Sequence, residues 1–451
     1  MKKYSEFEIE ISDIKFPNIG LADVDGFPIE VKGALPGQRL LIRLVQKGKV
    51  NKGKVLEVLQ PAPREIAPAC PVFGLCGGCA FGHIPYDYEV ELKTKMIKQI
   101  FSPLNMEDKF LETLPAVSES RYRNKMEYSF GDDGEAGNLT LGMRKKGSYY
   151  EAVDASCCLL CHEDFGKIQS ATLAHFVAKG EHFFHRRKGT GSLRHLQIRH
   201  GINTGELLVN LVTAGDGDYN DYAEMLLGLP LENKIVGVLN TVNNSLADAV
   251  RPEEVKLLHG HDYFYEDFSK DGHGMRYKIP AFSFFQTNTE MTERLYATIA
   301  DFAGDLTDKT VFDLYCGAGT IGLYLAKSAK VKRVVGVEIV EDAIISAKEN
   351  AALSGVDCEF IAGDVKNVVK ELSESPDVII LDPPREGIVP KTIPHILAFG
   401  AQKIVYVSCK PTSLMANLPA FLEGGYKIGK IQCVDMFPRT ANVEVVMELY
   451  R

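Results

Sequence analysis

The chain has 451 residues, 45% hydrophobic and 25% charged, with ten cysteines, no tryptophan and a formal net charge of -9. At roughly 150 residues per domain, that length predicts two to four compact units and excludes a single small module, while the ordinary globular composition excludes a disordered chain. No apolar run approaches the ~18 residues needed to cross a bilayer, and MKKYSEFEIEISDIK turns acidic where a signal peptide needs its apolar segment. A cytoplasmic protein with no membrane partner, working as a monomer, is expected.

Residues 1–60 alternate short apolar strands (FEIEI, RLLIRLV, KGKVLEVL) with turn signals such as Asp25-Gly26, a spacing that predicts a small β-barrel. The Pro-rich PAPREIAPACP connects it to the next unit. Residues 61–280 read as a central, mainly antiparallel β domain. It includes the strands MEYSF, LTLGM, LRHLQIRH and ELLVNLVTA, a helix near DFGKIQSATLAHFVAK, and a helix over about 86–101 that is free to pack on the next domain. From 281 to 451 strands and helices alternate, and the strands are continuous apolar runs. That order demands parallel pairing with right-handed crossovers, an α/β doubly wound, Rossmann-like domain.

Net charge argues against nucleic-acid binding by bulk electrostatics, yet Arg39, Arg43, Lys47, Lys49, Lys52 and Lys54 form one run without an acid. Arg186, Arg187, Lys188, Arg194 and Arg199 form another. Both lie outside the C-terminal domain and suit the docking of a polyanion; a solvated surface face is the plainer alternative.

In a reducing compartment ten cysteines do not make a disulfide framework, so their spacing matters more than their number. Cys70, Cys76 and Cys79 form C-x5-C-x2-C, and Cys157, Cys158 and Cys161 form a second group. Thiolates at such spacings hold zinc or an iron–sulfur cluster. Cys316, Cys358 and Cys433, inside or beside apolar strands, read as core.

Gly317, Gly319 and Gly322 give G-x-G-x-x-G between the strand VFDLY and a helix, and Glu338 ends the next strand 21 residues after Gly317. Glycines there allow close backbone approach, and a carboxylate so placed can hold ribose hydroxyls, which predicts an adenosyl cofactor, either NAD or S-adenosylmethionine. Asp364, ending the third strand, is placed either to accept from an adenine amino group or to cap the helix after it. Asp382, in LDPPREG, ends the fourth strand, and Cys409 follows the fifth, both where ligands of open α/β sheets bind. Arg385 stands where amine methyltransferases carry an aromatic residue, which moves the acceptor away from nitrogen. A carbon acceptor such as C5 of uracil needs a nucleophile to add at C6 and a base to remove the C5 proton; Cys409 fits the nucleophile.

The motifs FFQTN (284–288), DLYCGAGTIGL, LDPPREG, YVSCKPTSL and DMFPRTANVE, in this order, closely resemble the RNA uracil-C5 methyltransferases, which make 5-methyluridine in ribosomal or transfer RNA. DGFPIEVKGALPGQ resembles the TRAM RNA-binding barrel, and CPVFGLCGGC the family's four-iron cluster motif. The resemblance implies S-adenosyl-L-methionine as cofactor, contacted by Gln286, Tyr315, Glu338 and Asp382, with Asp364 near the adenine. It implies Cys409 as nucleophile and Glu444 as base. It further implies a [4Fe-4S] cluster on Cys70, Cys76, Cys79 and a fourth cysteine, best matched by Cys157 with Cys158 and Cys161 as rivals. Members often carry histidines where this chain has Arg439 and Asn442.

Barrel and cluster segment point to 23S rRNA as the RNA partner, with tRNA the alternative. Unpaired RNA is the substrate most cheaply flipped into a cleft, and Arg121, Tyr122, Arg123 and Lys125 alternate in a way that suits a phosphate and stacking path. Two other classes share part of this pattern: an NAD-dependent oxidoreductase, which gives Cys409 no task, and a noncatalytic RNA-binding iron–sulfur protein, which needs neither nucleophile nor base.

Overall fold

The computed structural model describes residues 4–46, 48, 50–134, 137–246, 252–268, 274–368, 370–372 and 374–451. Among them no helix is long and apolar enough to cross a membrane. Lys47 and Lys49 of the first basic run lie outside the described residues.

The N-terminal unit is a six-stranded sheet in the order Glu6–Glu10, Arg39–Gln46, Asn51–Gln60, Phe27–Lys32, Ile19–Val24, Asp13–Lys15. Alternation of side chains along its strands sends Ile9, Ile29, Val31, Leu40 and Ile42 into one apolar core. The other face is charged. There Arg39 and Arg43 meet Glu8 and Glu6 of the adjacent strand at 3.1 and 2.6 Å, so two cations of the first basic run are already paired within the sheet.

The central sheet runs Glu254–Gly260, Lys234–Val242, Glu206–Thr213, Leu193–Gly201, Lys125–Asp132, Leu139–Arg144, Ala152–Val153. Only Glu206–Thr213 and Lys234–Val242 pair in parallel. The connection that makes this possible is a helix the sequence reading missed, Asn220–Leu227, which shares an apolar core with the helix Glu163–Ala178. The second basic run is partly inside this unit. Arg199 is buried and donates to the carbonyls of Pro280, Ala281 and Ser283 at 2.8–2.9 Å, and Arg194 donates to that of Ser245 at 2.7 Å. These two arginines tie loops together instead of facing a polyanion.

The catalytic sheet has the order Glu359–Ala362, Arg333–Glu338, Thr310–Leu314, Val378–Leu381, Lys403–Ser408, Glu444–Tyr450, Lys427–Val434. The first five strands are parallel, and the last two pairings are antiparallel. Alternate residues fill two cores. Val311, Ile380, Val405 and Val446 face one layer that includes the helix Thr289–Ala303, while Phe312, Ile379, Ile404 and Met447 face the helix Pro411–Glu423. Ile97 and Phe101 of the helix Tyr86–Phe101 lie in this second core, so a segment from the middle of the chain completes the C-terminal layer.

Candidate active site

Strand order reverses between Thr310–Leu314 and Val378–Leu381, and the carboxyl ends of the strands open there into a cleft of about 1240 Å³. It brings together Gln286, Tyr315, Gly317, Glu338, Asp382, Cys409 and Glu444. Gly319 lies one turn below, capping the helix Thr320–Ser328, and Asp364 is outside. The exposed carboxylate of Asp364 accepts the Lys366 N–H at 2.9 Å, the cap geometry, although its charge still bears on Tyr315.

The glycine turn is built for close approach. Gly319 has φ +75°, and a Cβ there would lie 2.6 Å from the Phe360 ring. Gly317, at φ +52°, faces open space. Tyr315 holds the left-handed conformation without being glycine, at φ +67°. Glu338 steadies the turn: Gly317 N–H donates to its Oε2 at 3.2 Å and Val340 N–H to its Oε1 at 3.0 Å. The buried Asp313 accepts the Gly322 N–H at 2.9 Å, and its other oxygen has no partner; burial pushes this carboxyl up to about 7.

At the other end of the cleft three carboxyl and thiol groups crowd together. Burial, and then the Asp382 charge, push Glu444 up to about 8, with Arg385 opposing. Burial, then Glu444 and Asp382, push the Cys409 thiol up to about 12, again with Arg385 opposing. Asp382 itself is held at about 7, by burial first and Asp313 second. Arg385 donates to Asn442 Oδ1 at 3.3 Å, which keeps the guanidinium near this group. A thiol and a carboxyl therefore sit in a poorly hydrated pocket with the Arg385 guanidinium beside them.

The cleft also takes in Tyr263 and Lys278 from the hairpin Tyr263–Phe268/Met275–Pro280, Phe282 and Phe284 from the loop after it, and Phe437. None was singled out from sequence. Phe284 is 70% exposed at the mouth, and its place in FFQTN was the available signal.

The expected stacking path around Tyr122 is not exposed. Tyr122 is buried and donates to the Pro438 carbonyl at 2.9 Å, and Arg121 donates to the Cys161 carbonyl at 2.7 Å and pairs with Glu163. Tyr122 precedes the strand Lys125–Asp132, and the left-handed backbone of Arg121, at φ +57°, interrupts any regular alternation there.

Among the described residues no three His, Cys, Asp or Glu side chains meet at single-metal distance. The thiols are nevertheless neighbours: burial and the charges of Cys158, Cys76 and Cys70 push Cys79 up to about 12, and Cys158 and Cys70 also raise Cys76. Cys157, the expected fourth member, is exposed, and it is Cys158 whose charge bears on both Cys76 and Cys79.

A family model of tRNA (uracil-5-)-methyltransferases matches residues 238–451. An RNA methyltransferase of Clostridium tetani, itself uncharacterised, is 43% identical over all of this chain and 99% of its own length. Another, from Halalkalibacterium halodurans, is 33% identical over 100% of this chain and 98% of its own. The crystal structure of Pyrococcus abyssi tRNA (uracil-54, C5)-methyltransferase with S-adenosyl-L-homocysteine superposes with a TM-score of 0.78 at 25% identity, covering 98% of this chain and 99% of that one. The tRNA (uracil-5-)-methyltransferase model takes in every residue of the cleft, and relatives that align from end to end show the family: the chain belongs to the RNA methyltransferases.

Proposed function

We propose that this protein uses S-adenosylmethionine to methylate C5 of a specific uridine in 23S rRNA. The observation that carries the chemistry is the pairing of Cys409 with Glu444 in one desolvated cleft whose opposite end holds the glycine turn and Glu338. The cofactor supplies an electrophilic methyl group on a cationic sulfur. Gln286, Tyr315, Gly317, Glu338 and Asp382 would hold it, and the absence of any atom within 4 Å of a Cβ at Gly317 leaves the turn open to it. Gly319 acts through the turn.

In the reaction, the Cys409 thiolate bonds to C6 of the flipped uracil, and the electron pair displaced toward C5 takes the methyl group, whose former bonding pair would stay on the cofactor sulfur and neutralise it. Glu444 then accepts the C5 proton, the C5–H pair re-forms the C5–C6 double bond, and Sγ leaves as thiolate. Arg385 moderates the negative charge that accumulates between Cys409, Glu444 and Asp382.

In this reading the N-terminal sheet serves as a TRAM-like RNA-binding barrel, and residues 1–60, 61–280 and 281–451 form three functional parts. Cys70, Cys76, Cys79 and Cys158, four thiols with mutual electrostatic contact, would hold a structural [4Fe-4S] cluster. Iron and acid-labile sulfide analysis of anaerobically purified protein checks this; zinc in their place refutes it.

A second RNA is favoured by one observation: a solved neighbour that covers 98% of this chain is a tRNA (uracil-54, C5)-methyltransferase. Labelled cofactor, offered with unmodified 23S rRNA and tRNA separately, tests both. 5-Methyluridine in the 23S rRNA only is the expected product. Label confined to tRNA reassigns the substrate, and label on a nitrogen or another base overturns the chemistry.

A further inference from the structure

Glu444 begins a strand, and the segment before it, 435–443, carries Phe437 and Asn442 into the cleft as well. Within this segment Thr440 donates from its N–H and its hydroxyl to the Phe437 carbonyl at 3.1 and 2.8 Å. The segment is also held by residues distant in sequence. Lys93, fully buried, donates from Nζ to Asp435 Oδ1 at 2.8 Å and to the Phe437 carbonyl at 3.1 Å, while Glu89 Oε1 pairs with the same ammonium at 2.7 Å. Tyr86 donates to Asp435 Oδ2 at 2.8 Å, Asn288 to the Met436 carbonyl at 3.0 Å, and Tyr122 to the Pro438 carbonyl at 2.9 Å.

Arg439 is where these supports meet the cysteine segment. Its backbone is left-handed, at φ +67°, so its N–H and carbonyl both point to partners outside its own loop. The N–H donates to Glu89 Oε1 at 2.7 Å. The carbonyl accepts from Ala80 N–H at 2.7 Å and Phe81 N–H at 3.1 Å, next to Cys79. The guanidinium donates to the Ile84 carbonyl at 2.8 Å and pairs with Glu89 and Glu119. Arg439 itself does not line the cleft. Cys409 follows a different strand, Lys403–Ser408, and none of these bonds reaches it.

We propose that Arg439 is a positioning residue for Glu444, tying segment 435–443 to the cysteine segment and to the helix Tyr86–Phe101, so that it governs proton removal but not nucleophilic attack. The proposal rests on the reading of Glu444 as base. It separates the two halves of the reaction: attack and methyl transfer depend on Cys409, whereas release of the methylated RNA depends on a carboxylate held by this segment. Loosening Arg439 leaves methylated RNA bonded to Cys409.

The test uses the full-length protein with its RNA substrate and labelled S-adenosylmethionine, comparing wild type with Arg439→Gln, Arg439→Lys, Tyr122→Phe and Glu444→Gln. Three quantities are read: methyl groups transferred per enzyme in a single turnover, the fraction of enzyme in an SDS-stable RNA adduct, and steady-state kcat. Arg439→Gln is expected to keep the single-turnover methyl transfer, accumulate adduct, and lose roughly 10- to 100-fold in kcat. Arg439→Lys should recover most of that loss, and Tyr122→Phe, which frees the same segment through Pro438, should accumulate adduct in the same direction. Wild-type turnover in Arg439→Gln, or methyl transfer and turnover falling together without adduct in both Arg439→Gln and Tyr122→Phe, overturns the proposal. Glu444→Gln tells the two levels apart: if it forms no labelled adduct, the uracil-C5 reading itself fails.

Discussion

Cys409 and Glu444 are neighbours because the last strand of the catalytic sheet runs backwards. Ser408 pairs with Val445 across an antiparallel ladder, so the end of one strand and the start of the next lie at the same edge of the sheet. A parallel strand in that place would carry Glu444 to the far side of the domain. The consequence is electrostatic: an ionised Glu444 opposes ionisation of Cys409 in a pocket that hydrates neither well.

With the Cys409 thiol pushed up to about 12 by burial and by the charges of Glu444 and Asp382, a thiolate at neutral pH needs added positive charge. A cationic ligand at the cofactor position lowers the thiol pKa, and a neutral one of the same shape does not. The pH midpoint for alkylation of Cys409 by iodoacetamide is expected to fall by a unit or more with sinefungin, whose amine is cationic, relative to S-adenosylhomocysteine, whose sulfur is neutral. Equal midpoints with the two ligands would show that the sulfonium position does not face this thiol.

In the proposed reaction Glu444, pushed up to about 8, serves as base only once ionised. Decay of a preformed RNA adduct should therefore accelerate with rising pH and level off above a midpoint near 8. Arg385 lowers the Glu444 pKa, so Arg385→Gln is expected to move that midpoint upward. A downward movement would contradict the electrostatic assignment.

Asp313 gives a stability effect of opposite sign from most carboxylates. Its folded pKa, about 7, is raised above the ordinary 3.8 by burial, so the folded state binds the extra proton between these values. Stability contributed by the protonated form is complete below about pH 4 and is lost as pH rises toward 7. In Asp313→Asn that decline should vanish, leaving a flatter Tm profile between pH 4 and 7.

How far the sequence could be read follows from range. Gly317 and Glu338 lie within one strand–helix–strand unit, so their spacing carries the geometry, and the structure puts both at the cleft. The Cys409–Glu444 contact needed a strand reversal that no local pattern announces. The contact between Glu89 and Arg439 spans 350 positions and was invisible for the same reason. Charge runs misled in a different way. Arg194 and Arg199 look like surface cations in a list of residues, yet loops that turn their carbonyls inward need buried donors, and these two supply them. Tyr122 failed likewise, because the alternating residues 121–124 precede the strand, and the Pro438 carbonyl that its hydroxyl meets is 316 positions away.

The two positive-φ glycines of the turn should separate folding from binding. At Gly319 an added methyl meets Phe360 at 2.6 Å and the Ala347 Cβ at 3.0 Å, on top of the cost of a left-handed alanine. Overpacking and backbone strain together predict a loss of roughly 2–4 kcal/mol for Gly319→Ala, seen as a lower denaturation midpoint. Gly317→Ala bears only the backbone cost of about 1–2 kcal/mol, because nothing lies within 4 Å of its added methyl. That open space is the cleft, so the methyl group stands where the cofactor would approach. Calorimetric titration with S-adenosylhomocysteine should show Gly317→Ala binding at least tenfold more weakly while its denaturation midpoint moves less than that of Gly319→Ala. The reverse order would place the ligand away from this turn.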